Sequence, residues 1–120
     1  MCIYIYAHRE SQLLRQWISA IGERFEIMRE KIIERALTVA CRKRDGVALK
    51  FISPGVDGVP DRIVLFPGGR VAFIELKAPG EKMRPLQEKR KRQLVRLGFR
   101  VYCVDEMRQI EEVLDAIQAP

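Results

Sequence analysis

Gly58-Val59-Pro60-Asp61-Arg62-Ile63-Val64-Leu65-Phe66-Pro67-Gly68-Gly69-Arg70-Val71-Ala72-Phe73-Ile74-Glu75-Leu76-Lys77 carries two apolar, β-branched runs, Arg62–Phe66 and Arg70–Leu76, on either side of a Pro-Gly-Gly break. Runs of this kind around a short glycine-bearing break predict a β-hairpin. With a three-residue loop Phe66 faces Arg70, and the antiparallel register then sets Asp61 opposite Glu75. Directly opposed residues have Cβ atoms ~4.5–5.5 Å apart. Lys77 lies two residues beyond Glu75, on the same face because strand side chains alternate. A two-residue loop would make the two acids diagonal neighbours instead. Either register gathers two carboxylates and an ammonium beside an apolar sheet.

Like charges opposed across a hairpin are destabilising, so this arrangement requires a cation. Lys77 supplies one, but a divalent ion matches two carboxylates better than one flexible ammonium does. Carboxylate oxygens suit a hard ion such as Mg²⁺ or Mn²⁺, which keeps several waters and often binds substrate phosphates. The plain alternative makes Glu75 and Lys77 a solvated edge pair and Asp61 a turn residue after Pro60.

At 120 residues the chain fits one α/β domain, and 48% apolar with 32% charged residues describes a globular rather than a disordered protein. Its net charge of +6 favours polyanionic partners, nucleic acid first. Cys2, Cys41 and Cys103 are far apart and His8 is the one imidazole, which argues against zinc and for free thiols in a reducing compartment. No run is long enough for a membrane span, and the N-terminus does not read as a signal peptide; a cytoplasmic protein is expected.

Residues 1–27 stand apart from the rest. Ile3-Tyr4-Ile5-Tyr6 reads as a short strand. Leu14, Ile18, Ile21, Phe25, Met28 and Ile32 then recur at spacings of 4, 3, 4, 3 and 4, one stripe of a helix. That stripe suits either a pairing helix or, the expectation preferred here, a helix packed on its own domain. A third reading starts translation at Met28. The domain proper is expected over 28–120. Helix continues over 28–44, with Ile32, Ile33, Ala36, Leu37, Val39 and Ala40 inward, and stops at Asp45-Gly46. A strand follows over 47–52, then a shaped loop to Pro60 and the hairpin. Pro85 opens a helix with Leu86, Leu94 and Leu97 as its core face, ended by Gly98. This helix region carries Arg84, Lys89, Arg90, Lys91, Arg92 and Arg96, more cations than solubility needs, and is expected to contact phosphates. A last strand over 98–104 precedes a helix capped by Asp105, with Met107, Ile110, Val113, Leu114 and Ile117 inward. The helical crossover between the second hairpin strand and the last strand implies parallel neighbours, hence a mixed sheet with helices on both faces.

This order, with Gly58-Val59-Pro60-Asp61, Phe73-Ile74-Glu75-Leu76-Lys77-Ala78-Pro79-Gly80 and Gln87 in the following helix, resembles the virus-type replication-repair nuclease (VRR-NUC) domain of the PD-(D/E)xK superfamily. The likeness covers about residues 28–105 and implies a restriction-endonuclease-like fold and hydrolysis of DNA phosphodiesters with Mg²⁺ or Mn²⁺. It assigns the metal to Asp61, Glu75 and the Leu76 carbonyl. Lys77 would orient the attacking water, and Gln87 would position Lys77 or the phosphate. Glu34 would add an outer-shell carboxylate from the first helix, with Glu30 as runner-up. Arg62, Arg70, Lys82, Arg84, Arg90 and Lys91 would hold the nucleic acid. Branched or flap DNA, a homodimer and, for a phage protein, the bacterial host cytoplasm follow by the same analogy. The rival readings are a catalytically silent nucleic-acid-binding module and a basic partner in a replication or packaging complex.

Overall fold

The hairpin forms as its spacing requires. In the computed structural model, which describes residues 2–120 and the side chains of residues 11–120, β2 (Arg62–Phe66) pairs antiparallel with β3 (Arg70–Leu76), Phe66 facing Arg70 and Arg62 facing Ile74. β1 (Val47–Lys50) lies antiparallel to β2, and β4 (Arg100–Val104) lies parallel to β3, giving a four-stranded mixed sheet in the order β1-β2-β3-β4. The parallel step is bridged by α2 (Pro85–Arg96). α1 (Cys2–Lys43) precedes the sheet and α3 (Gln109–Gln118) follows it.

Strand alternation divides the side chains between two faces. Val64, Phe66, Ala72, Ile74, Leu76 and Val104 point one way, into a core closed by Ile33, Leu37, Ala40 and Cys41 of α1 and by Ile110, Leu114 and Ile117 of α3. Burying each Leu, Ile, Val or Phe side chain in such a core contributes roughly 1.5–3 kcal/mol. The other face carries Phe73, which meets Phe51 and Phe99 edge-on with ring centroids 5.6 Å apart in both pairs. α2 lies over this face and packs mainly on β4. Helices thus cover both faces, as expected.

Several local expectations are corrected. Residues 3–6 are helical, inside α1, rather than a strand. A helix satisfies its own backbone groups, whereas a strand there would need a neighbour to pair with. α1 also passes position 28 without a break and does not fold back on the domain. Leu14, Ile18, Ile21, Phe25, Met28 and Ile32 are all exposed, so the preferred packing of that stripe on its own domain does not occur. Val39, placed inward by periodicity, is exposed as well. In α2 the expected core residues Leu86 and Leu97 are exposed, and the buried residue is Gln87. α3 begins at Gln109, not next to Asp105, because the Gln109 Oε1 accepts the Asp105 and Glu106 N–H groups at 2.9 and 3.2 Å. Met107 precedes that helix and is exposed.

Gly58 pins the loop that delivers Asp61. Its φ of 81° suits glycine, and a Cβ there would lie 2.6 Å from the Leu86 carbonyl oxygen at the start of α2. Arg90 reinforces the contact, its Nε donating to the Asp57 carbonyl at 3.2 Å. The loop before β2 and the first turn of α2 are therefore held as one unit.

Candidate active site

The hairpin places Asp61 one residue before β2 and Glu75 at the penultimate position of β3, on the face that α2 covers. Among the described residues the buried polar or charged ones are Glu75, Lys77 and Gln87. All three meet at one point. Burying such groups costs free energy unless they are paired, so their convergence marks a place where chemistry outweighs stability.

Each contact has a definite role. Leu76 N–H donates to the Asp61 Oδ2 at 2.8 Å, which extends the β2–β3 ladder by a side chain and fixes that carboxylate beside β3. Gln87 Nε2 donates to the Glu75 Oε1 at 2.9 Å. The Gln87 Oε1 meanwhile accepts the Arg84 N–H at 2.9 Å, so the helix start orients the amide. Lys77 Nζ lies 3.9 Å from the same Glu75 Oε1. The Glu75 Oε2 is buried and has no hydrogen-bond partner. Burial, and then the adjacent Asp61 carboxyl within hydrogen-bonding reach, push the Glu75 carboxyl up to about 8. Lys77 and Arg84 oppose that rise.

Two carboxyls this close are stable when a proton or a cation lies between them. Asp61 and Leu76 line a cleft of ≈ 270 Å³ together with Glu30, Glu34, Lys50, Phe51 and Ile52, and the orphaned Glu75 Oε2 is buried beside them. No group of three or more His, Cys, Asp or Glu side chains able to hold a metal ion occurs among the described residues. A site for Mg²⁺ or Mn²⁺ does not need one, because such ions take one or two carboxylates and complete their shell with waters and phosphate oxygens. The residues present fit that kind of ion.

Both candidate outer carboxylates line this cleft, but they have different partners. Glu34 is ion-paired with Arg62. Glu30 faces the site: burial, then the charges of Asp61 and Glu81, raise its carboxyl above the ordinary value, and Lys77 opposes them. Glu81 was not foreseen from sequence. It is positioned by the turn after β3, where its N–H donates to the Ala78 carbonyl at 3.0 Å. Lys50, at the end of β1, is a further unforeseen lining residue.

The six basic residues singled out for nucleic acid do not form one surface. Arg62 alternates to the α1 face, away from Asp61, where it pairs with Glu34 and donates to the Ala48 carbonyl at 3.2 Å. Arg70 is at the opposite end of β3, roughly 17 Å along the strand from Glu75, and donates to the Ile117 and Ala119 carbonyls at the end of α3. Arg90 braces the Asp57 loop. Lys82 and Arg84 are exposed near the site, and Lys91 lines a groove of α2 with Arg92, Val95 and Arg96.

Comparisons with known proteins agree with this picture. No family model matches the chain. Over 91 residues the chain is 43% identical to "Putative nuclease p44" of Acyrthosiphon pisum secondary endosymbiont phage 1, a match spanning 76% of this chain and 97% of that protein. A solved VRR_NUC domain superposes with a TM-score of 0.69 at 23% identity, covering 72% of this chain and 95% of that one. Its fold is the fold described above. No helix among the described residues is long and apolar enough to cross a membrane.

Proposed function

This chain belongs to the VRR-NUC nuclease family, and on that premise we propose that it is a Mg²⁺- or Mn²⁺-dependent endodeoxyribonuclease whose metal would be held by Asp61 and Glu75. The observation that carries the proposal is the buried, unpartnered Glu75 Oε2 next to a second carboxylate at the edge of an open cleft. When bound, the ion polarises the scissile phosphate, lowers the pKa of a water and neutralises the leaving 3′ oxygen. Asp61, Glu75 and the Leu76 carbonyl would hold it. Lys77 orients the attacking water and offsets the charge that develops on the phosphorane. Gln87 locks the Glu75 rotamer rather than Lys77, since its amide is spent on Glu75 and on the start of α2. Lys82, Arg84 and the cations of α2 grip the phosphate backbone without reading bases. Two copies acting on two strands suit branched or flap DNA, in the cytoplasm of a bacterial host.

Glu30, not Glu34, supplies the outer carboxylate in this proposal. Outer-shell partners commonly change metal affinity by about 10–100-fold. Glu30→Ala is therefore expected to raise the half-saturating Mn²⁺ concentration for cleavage by about tenfold or more. Glu34→Ala strands the Arg62 guanidinium, whose Nε is already buried without a partner. It should lower stability by about 1–3 kcal/mol and leave the Mn²⁺ requirement unchanged. The reverse pattern would exchange the two roles.

The founding test is incubation of the purified chain with labelled linear, flap and four-way DNA in Mn²⁺, Mg²⁺ or EDTA. Cleavage is expected with either ion, none in EDTA, and more on the branched substrates than on linear duplex. Binding should weaken steeply with salt. Binding without cleavage under every metal condition would reduce the chain to a nucleic-acid-binding module.

A further inference from the structure

The apolar stripe of the described part of the α1 extension lies open to solvent. Leu14, Trp17 and Phe25 are 59%, 68% and 58% exposed, and Ile18, Met28 and Ile32 are likewise open to solvent. Contiguous exposed apolar surface on this scale marks an interaction site. At about 100 Å² of apolar surface per large side chain, it approaches the ~800 Å² per partner of a standard interface.

The pattern of the stripe names the partner. Spacings of 4, 3, 4, 3 and 4 read the same in both directions about Glu23. A second copy laid antiparallel on this face, with the two-fold axis at Glu23, sets Leu14 against the partner subunit's Ile32, Ile18 against the partner subunit's Met28, and Ile21 against the partner subunit's Phe25. Every member of the stripe is used, and the self-complementary patch satisfies two-fold symmetry. Gly22 gains an explanation in the same arrangement. A glycine inside a helix costs about 1 kcal/mol relative to alanine, and among the described residues nothing outside its own stretch of helix approaches within 4 Å of its missing Cβ. At the axis it lies opposite its own copy, where the absence of a side chain lets the helices approach. Trp17 falls beside the partner subunit's Lys31, a cation–π pairing. A parallel pair would set Gly22 against Trp17 and Arg24 against Arg29 across the seam.

We propose that residues 14–32 of α1 are an antiparallel pairing surface for a second copy of this chain, so that the segment before residue 28 is a dimerisation arm. The inference is independent of the nuclease reading, because its readout is association without substrate. One electrostatic consequence separates the two. Arg24 meets its own copy and Arg15 meets the partner subunit's Arg29, so added salt screens repulsion and tightens the dimer. The same salt weakens DNA binding.

Sedimentation equilibrium of the full chain in EDTA tests the proposal. A dimer is expected, tighter at 0.5 M than at 0.1 M NaCl. The chain's single tryptophan should shift its emission to the red as the dimer dissociates on dilution. Ile18→Asp with Phe25→Asp is expected to raise the dissociation constant at least roughly 100-fold. Retained helical circular dichroism would show that this variant is folded. Gly22→Cys should cross-link to itself on oxidation above the wild-type background, whereas Arg15→Cys, far from the axis, should not. A monomer at 100 µM, a dimer indifferent to the Ile18/Phe25 variant, or self-cross-linking at position 15 but not 22 would each overturn the proposal. Loss of cleavage with the dimer intact would count against the nuclease reading alone.

Discussion

Glu75→Gln unfolds at a higher temperature than the wild type at pH 8 in EDTA, and cleaves no DNA. Glu75 is 1% exposed and its carboxyl is pushed up to about 8 by burial and by Asp61. Between its unfolded value of 4.5 and about 8, the folded protein holds a proton that the unfolded chain has released. Stability is therefore greatest below pH 4.5 as far as this group is concerned, and is lost as pH rises through 8. The shift corresponds to a span on the order of 4–5 kcal/mol. Glutamine keeps the oxygen that accepts from Gln87 and replaces the orphaned one with an N–H₂ that can donate to Asp61. At pH 8 it should raise the melting temperature by roughly 10–20 °C. At pH 5 the difference should shrink to about 1 kcal/mol, because the folded wild-type carboxyl is then neutral and the unfolded one is only just above its own pKa. Mn²⁺ at pH 8 should stabilise the wild type and not the variant. A stability difference that ignores pH, or a wild-type melting temperature flat between pH 5 and 8, would remove the strained pair from the account.

Lys77→Met separates charge from packing at the same site. The methionine retains the apolar stem of a buried side chain and deletes the ammonium 3.9 Å from Glu75. On the proposed role of Lys77 in orienting the nucleophile and offsetting transition-state charge, its loss should lower kcat by roughly 10³-fold. DNA affinity should change little, since the proposed phosphate contacts are spread over α2 and its approach. Removing the cation also lets Glu75 hold its proton more tightly, so the variant should need more Mn²⁺ to reach saturation, as read by thermal shift. Saturating Mn²⁺ then fills the site without restoring cleavage. Recovery of full activity at high Mn²⁺ would make Lys77 a modulator of the carboxyl and not a participant in hydrolysis.

Much of this site could be read along the chain because strand geometry is local. The Pro-Gly-Gly turn and the alternation of two short runs set the register that brings Asp61 to Glu75, and both belong to residues within twenty positions of each other. The same rule applied one residue further would have sent Arg62 to the opposite face, where it pairs with Glu34. The role of Gln87 was legible as a helix-start residue but not as the partner of Glu75. Helical periodicity names a face and not what covers it, which is why Leu86 and Leu97 were expected inside while Gln87 is the residue that α2 buries.

From sequence alone, then, come the hairpin, the parallel crossover, the basic helix and the two acids that share one strand pair. Each follows from periodicities and turn chemistry that act over a few residues. Only the tertiary structure paired Glu34 with Arg62 and left Glu30 beside Asp61, left the stripe of α1 without a domain to cover it, and dispersed Arg62, Arg70 and Arg90 into structural contacts. Those outcomes depend on where distant elements come to rest, and no local spacing encodes the rotation of a helix about its axis against a sheet it does not adjoin in sequence.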